Sequence, residues 1–308
     1  MTALALETTD LRATVLPDLG GLIASLRHLP TGTELLAQAP WHATRQPTEA
    51  ATDESDWLSR WPGGWPILFP NAGDGCTDDG TRHGFHGEGS LAGWQAHRDG
   101  HSVLLTRSFR TAPAIMTRRL VLTGNRLDVT EVVRAHAPAT VIWGQHVTFG
   151  SDLLSAPVTL DTSAKRLAAC ATYDPPANPL IPGATGYWPC LSGRVGPVDL
   201  SRPPEGAALL ACLVDLGPAP WAVLTTPALT VRLDWSADPW PLAWLWVETG
   251  GATDGPWHGK GRMIGIEPCS TWPATGLAAA RAAGAPLVML KVGKTRRAHI
   301  TLTVTPAT

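Results

Sequence analysis

Glycine and proline interrupt this chain so often that a fold built on long helices is excluded. There are 31 glycines and 28 prolines in 308 residues. Glycine costs backbone entropy in a helix, and proline lacks the N–H and clashes with the preceding turn. Between the interruptions lie short apolar or alternating segments that read as strands. Leu11–Val15 and Leu22–Leu26 come first, joined by Pro17-Asp18-Leu19-Gly20-Gly21. Val103–Phe109, Met116–Leu122 and Leu127–Ala135 follow, with Pro113 in the first connection and Gly124-Asn125 as a tight turn in the second. Val141–Phe149, Leu209–Leu213, Ala222–Thr226, Thr230–Trp235, Ala243–Val247 and His299–Thr305 continue the series. Only Ala278–Ala283 reads as helix. Strands that succeed one another through short turns predict antiparallel sheets, not βαβ crossovers. The expected fold is therefore all-β: one large antiparallel β-sandwich spanning residues 1–308. The Pro-rich stretch Asp174–Pro189 is expected to be a long ordered loop, because apolar strands continue on both sides of it.

Charge and cysteine content narrow the function classes. Lys plus Arg is 24 and Asp plus Glu is 26, a net charge of −2. No overall positive field is present to attract nucleic acid or anionic lipid. The most apolar window, Ala207–Thr226, is broken by Asp215, Pro218 and Pro220, so no membrane span is expected. Five cysteines (Cys76, Cys170, Cys190, Cys212, Cys269) have no paired spacing and read as free thiols of a reducing compartment. No basic stretch precedes an apolar run at the N-terminus, and a cytoplasmic location is expected.

The chemistry concentrates in a few segments. Fourteen tryptophans outnumber four phenylalanines and two tyrosines. They fill a core in one reading and stack on sugar rings in the other. Trp244 and Trp246 are two apart and project to one face of a strand. The densest polar run is Asn71–Glu88, with Asp74, Arg82, His83, His86 and five glycines. On an extended chain His83 and His86 face opposite ways, whereas His86 and Glu88 share a face. The run has no His-x-His, so no metal site is expected. His146 lies in Val141–Gly150 beside Trp143 and Gln145, and Glu267 ends the apolar segment Met263–Ile266 just before Pro268. A carboxylate there needs either a partner or a task.

In order along the chain, these segments resemble the aldose 1-epimerase (galactose mutarotase-like) family. The resemblance is carried by Leu16–Leu26 (LPDLGGLIASL), Gly32–Leu36 (GTELL) and Pro66–Gly73 (PILFPNAG). Phe85–Trp94 (FHGE…W), Gln145–Phe149 (QHVTF), Ile264–Pro268 (IGIEP) and Leu290–Thr295 (LKVGKT) complete it. It implies a large antiparallel supersandwich, a small-molecule aldose substrate, no cofactor, and interconversion of α and β anomers. By motif, Glu267 matches the catalytic base, His146 the acid that protonates the ring oxygen, and His86 the histidine that holds the sugar. His83 is the alternative to His86, which is preferred because its spacing to Trp94 matches bacterial members.

Two departures stand out. The family commonly has an arginine shortly after the position of Phe69-Pro70, where this chain reads Asn71-Ala72-Gly73-Asp74. Asn71, Asp74 or Arg82 is expected to take its place. The family's substrate-binding aspartate has no clean match, and Asp215 is the nearest candidate, with Trp246 as the stacking ring. Rival readings remain: a non-catalytic sugar-binding protein on the same fold, a metal-dependent β-barrel enzyme using His83, His86, Glu88 and His146, and a glycoside hydrolase, which would need a second carboxylate. No motif encodes the identity of the sugar or an oligomeric state.

Overall fold

Alternation along each strand decides which side chains enter the core. In the strand Leu242–Glu248, Ala243, Leu245 and Val247 are buried in the main apolar core, and Trp244 and Trp246 project to the other face. In Met263–Cys269, Ile264 and Ile266 join that core while Glu267 does not. The computed structural model describes residues 2–307 apart from 42, 44 and 151. Its strands assemble into two eight-stranded antiparallel sheets, a four-stranded sheet formed by residues 4–34 and smaller two-stranded pairs. One sheet runs in the order Thr185–Tyr187, Arg166–Ala169, Ala208–Val214, Leu242–Glu248, Met263–Cys269, Gly144–Gln145, Ile67–Leu68, with Val147–Phe149 also on Met263–Cys269. The other contains the long strands Ala114–Thr123, Arg126–Ala135 and Thr295–Pro306. Their facing sides share one apolar cluster that includes Leu245, Ile266, Val129 and Ile300. No helix among the described residues is long and apolar enough to cross a membrane.

The expected strand Val141–Phe149 is broken into Ala139–Val141, Gly144–Gln145 and Val147–Phe149. The last two keep one register against Met263–Cys269: Gly144 pairs with Cys269 and Val147 with Ile266. Gln145 falls opposite Pro268, which has no N–H to donate, and the ladder is interrupted there. Asp174–Pro189 is ordered as expected, and its Thr185–Tyr187 adds a strand to the sheet edge beside Arg166–Ala169. The helix Leu277–Ala282 lies close to its expected place. A second short helix, Glu54–Leu58, has no apolar periodicity to announce it; Asp53 caps it by accepting from the Asp56 N–H at 2.9 Å.

A buried polar network joins the two large sheets. Arg118 and Glu131, on neighbouring strands of the second sheet, are both fully buried, with Arg118 Nε 3.0 Å from Glu131 Oε1. The other Glu131 oxygen accepts from Trp143 Nε1 at 2.7 Å and Gln145 Nε2 at 2.9 Å. Gln145 Oε1 accepts from Trp65 Nε1 at 2.9 Å, and Arg118 donates to the Gly21 carbonyl at 3.0 Å. Burial, only partly offset by Arg118, raises the Glu131 carboxyl, and burial likewise lowers Arg118. Desolvation therefore outweighs the attraction within the pair, and the network contributes position more than stability. Removing one member should still be costly. Arg118→Met should lower the unfolding free energy by about 3–5 kcal/mol, the usual cost of orphaning a buried charge. Without the guanidinium the Glu131 pKa rises further, so the deficit should be larger at pH 8 than at pH 6 in denaturant titrations.

Candidate active site

Strand register brings His146 and Glu267 together across 121 residues of sequence. Gly144 opposite Cys269 and Val147 opposite Ile266 place His146 opposite Glu267. On the far side of Glu267 the same rung continues to Trp244 and then Cys212. His146 Nε2 stands 3.7 Å from Glu267 Oε1. Its other ring nitrogen, Nδ1, is 2.7 Å from Thr148 Oγ1, and its backbone N–H donates to the Pro66 carbonyl at 3.0 Å. The ring is thereby fixed on both sides. Gly265 makes room for the carboxylate: a Cβ there would stand 2.4 Å from Glu267 Oε1.

His86 reaches the same place from a loop. Its backbone is left-handed, with φ 59°, and Gly87 continues the turn at φ 77°. A Cβ on Gly87 would collide with the carbonyls of Phe69 and Asn71. This turn overturns the expectation that His86 and Glu88 share a face. Glu88 is buried elsewhere, taken up by Arg107, the N–H groups of Arg110 and Thr111, and the Thr111 hydroxyl. His86 Nδ1 accepts from the Gly73 N–H at 3.1 Å. The neutral ring therefore carries its proton on Nε2, as a donor for the cavity. The His86 and His146 ring centroids are 5.3 Å apart.

These three groups line a cavity of about 360 Å³, the size of a small-molecule site. Its walls are aromatic: Trp57 and Trp61 stack at 5.0 Å on the turn of the Glu54 helix, and Trp246 and Trp257 meet edge-on at 5.6 Å. Trp57 lies 4.8 Å from His86 and 5.6 Å from His146. Trp244 also lines the cavity, with its Nε1 donating to the Thr271 carbonyl at 2.8 Å. Trp57, Trp61, Trp257, Glu54 and Tyr173 were not singled out in the sequence. The tryptophan count was their one signal, and it carries no address.

Burial sets the protonation of the pair. It raises the Glu267 carboxyl well above its usual range and lowers His146 to about 4. His86 is pushed well below the ordinary imidazole value by burial and then by His146. Burial thus favours the uncharged forms of both groups, a neutral imidazole and a protonated carboxyl. Among the described residues four glutamates are buried, Glu88, Glu131, Glu248 and Glu267. Glu88 and Glu131 are bonded as described, and Glu248 accepts from the Gly250 and Ala252 N–H groups. Only Glu267 receives no hydrogen bond from the described residues, and its carboxyl is open to the cavity.

The remaining expected residues divide. Asp74 and Trp246 line the cavity. Asn71 does not; its amide donates to the carbonyls of Asp74 (2.8 Å) and Gly84 (2.9 Å), and its oxygen accepts from the Leu277 N–H (2.7 Å). It staples the loops that carry Asp74, His86 and Thr275. Arg82 is exposed on the hairpin Cys76–Asp78/Thr81–His83, outside the cavity. Asp215 is exposed at a strand end, with φ 58°, paired with Arg166. Both are displaced from the cavity because a hairpin tip and a sheet edge carry them outward. His83 is buried under its own hairpin and lines a different groove with Asp78 and Arg281. The set His83, His86, Glu88, His146 is thus not brought together.

No protein-family model matches the sequence, and no curated protein sequence matches it either. Solved structures do match. An aldose 1-epimerase candidate from Escherichia coli K12 aligns over 99% of both chains at TM-score 0.71 and 17% identity. A GalM/aldose epimerase homologue from C. elegans covers 100% of this chain and 99% of its own, at TM-score 0.65 and 16% identity. A galactose mutarotase related enzyme from Lactobacillus acidophilus covers 99% and 97%, at 0.62 and 16%. The chain has the galactose mutarotase-like fold. The supersandwich implied by the sequence resemblance is observed, and the mutarotase-like fold here holds its aromatic cavity on the side of the Leu242–Cys269 strands that faces away from the inter-sheet core.

Asn71 provides a test of how the loops are held. Asn71→Ala should cost about 1–3 kcal/mol in chemical denaturation, because it leaves buried backbone groups unpaired.

Proposed function

We propose that the protein is a mutarotase acting on an aldose, with Glu267 and His146 as its proton-transfer pair. The observation that carries this reading is the open, unbonded Glu267 carboxyl 3.7 Å from His146 Nε2 in an aromatic cavity of sugar size. The pair holds one exchangeable proton. With the closed ring bound, that proton is on His146 and the charge is on Glu267. Glu267 then takes the proton from the anomeric O1 as His146 delivers its own to the ring oxygen O5. The C1–O5 bond breaks, C1 becomes the aldehyde carbon, and rotation about C1–C2 exposes its other face. Reclosure runs the two transfers backwards and restores the pair.

Burial favours the arrangement reached after ring opening, with the carboxyl protonated and the imidazole neutral. The open form is therefore matched by the uncharged pair, and the hydroxyls of the bound sugar supply hydrogen bonds to the charged one. His86 contributes a fixed donor, its Nε2–H, to a sugar oxygen. Trp246 and its neighbours offer indole faces to the C–H faces of the ring. In this reading the whole chain acts as one domain and needs no cofactor.

Exchange NMR of anomeric protons across a panel of aldoses tests the reading directly. Glu267→Gln and His146→Asn should each lower the exchange rate by about 10² to 10⁴-fold, the usual contribution of a general acid or base. Sugar binding should largely persist in both, and His86→Asn should lose affinity as well as rate. Full activity in Glu267→Gln, or no accelerated aldose, would sink the reading. The pH profile has a defined sign. Activity requires one proton on the pair, so the rate should fall by about tenfold per unit as pH drops below the His146 value near 4, where a second proton blocks the acceptor. It should fall again on the alkaline side when Glu267 loses its proton.

Trp246→Ala and Trp244→Ala separate stacking from core packing. Both should weaken sugar binding. Trp244→Ala should also cost about 3–5 kcal/mol of stability, because that ring is fully buried.

A further inference from the structure

The polar part of the cavity wall carries charge of one sign. Glu54, Asp74 and Glu267 line it, and among the described residues no lysine or arginine does. Two arginines flank the segment in sequence, and both are used elsewhere. Arg60 is bound to Asp56 and the Gln46 carbonyl, and Arg82 is exposed on its hairpin. Glu54 and Asp74 come from separate elements, a helix start and a glycine-rich loop, and converge on the same cavity. Glu54 stands exposed at the rim, where partial loss of hydration and then the like charges of Asp74 and Asp53 raise its carboxyl. Tyr173 beside them is pushed up to about 12, first by burial, with Glu54 and Glu248 adding to it. Among the described residues, the nearby arginines pair with other acids, Arg45 and Arg60 with Asp56 and Arg281 with Asp78, and none with Glu54 or Asp74. The indoles of Trp57, Trp61, Trp246 and Trp257 line the same cavity, and indole faces attract cations.

A phosphorylated or carboxylated sugar would enter this site against three carboxyl groups, with nothing to neutralise it. A neutral hexose would satisfy them by hydrogen bonds alone. A protonated amine would satisfy both the carboxylates and the indole faces. We propose that the aldose this cavity is built for carries an amino group, with its ammonium held by Glu54 and Asp74 against the tryptophan wall. This rests on the reading of the cavity as a sugar site. It assigns to Glu54 and Asp74 the selection of substrate by charge, in the place where the family resemblance led to an arginine.

The test compares one hexose with its 2-amino-2-deoxy and 6-amino-6-deoxy analogues, its N-acetylated 2-amino analogue and its 6-phosphate. Affinity is read by calorimetry, and anomer exchange by NMR. At least one amino sugar should bind tighter than the parent by on the order of tenfold, the sum of a partly exposed ion pair and a cation–π contact. If the 2-amino sugar is the preferred one, N-acetylation should abolish its gain, and the phosphate should bind more weakly than the parent. Glu54→Gln and Asp74→Asn should each move the amino-to-parent affinity ratio towards one, and added salt should do the same in the wild type. Equal binding of amino and parent sugars, or a ratio that survives both substitutions, overturns the proposal. The two readings fail separately. Exchange of the parent hexose with no amino preference leaves the mutarotase standing and removes charge selection. Tight, Glu54-dependent amino-sugar binding without exchange of any anomer does the reverse.

Discussion

The pairing of residues 144–149 with Met263–Cys269 is the constraint on which the site depends. Backbone hydrogen bonds there set His146 against Glu267, and no flexible segment has to find the geometry. Because strand side chains alternate, a slip of 144–149 by one residue would turn His146 into the apolar core, away from Glu267, and bring Val147 out of it. The core resists that slip through Val147, Ile264 and Ile266. The buried network resists it from below, since Gln145 is held by Trp65 and Glu131 and so fixes the backbone one residue before His146. The His146 N–H points to the other side of its strand and bonds to the Pro66 carbonyl, just before Ile67–Leu68. The histidine is thus gripped from two strands, and its ring from Thr148.

Two kinds of buried carboxyl coexist in this structure, and their difference marks what each is for. Glu88 and Glu248 are buried with hydrogen bonds made inside the protein, and Glu131 accepts two on one oxygen and faces the Arg118 guanidinium with the other. They organise a loop, an inter-sheet anchor and a turn. Glu267 is just as buried, and the described residues offer it only His146 at 3.7 Å. Leaving such a group without donors destabilises the fold unless it stays protonated or something else enters to bond it. His146 and His86 carry the complementary burden, as imidazoles that burial keeps neutral. The rest of the sandwich offsets these costs with a core in which some sixty apolar residues are shared between the sheets.

Period-two alternation and Gly/Pro punctuation made the strands and their antiparallel sense legible, because both signals are local. The ordered segments of the family resemblance brought Glu267, His146 and His86 into view. What stayed hidden was non-local. Trp57 sits on, and Trp61 just beyond, a helix of five residues too short to show periodicity, known only by its Asp53 cap and its packing. Asn71 looked like a ligand group and proved to be a staple, since its partners lie 3, 13 and 206 residues away. Arg82 and Asp215 were chosen by nearness in sequence, and a hairpin and a strand end carried them to the surface. Glu88 was placed by assuming extended chain, where φ at His86 and Gly87 is positive. In each case backbone direction decided the outcome.

The division between strand and loop also separates what is general in this site from what is particular to it. His146 and Glu267 stand on adjacent strands whose geometry follows from the sheet itself. Solved structures at 14–18% identity superpose on nearly the whole chain, so that framework tolerates wide change in sequence. Glu54, Asp74, Tyr173, Trp57 and Trp257 come instead from a short helix and connecting loops around the cavity mouth. Of these, the exposed Glu54 and Asp74 can change type without disturbing a strand register or a core contact, and loops on a rigid scaffold are where specificity is set. Asp74, on the loop where the family that the sequence resembles commonly has an arginine, is such a position. A change of charge there leaves the distance between His146 and Glu267 untouched while altering the sign of the field at the cavity.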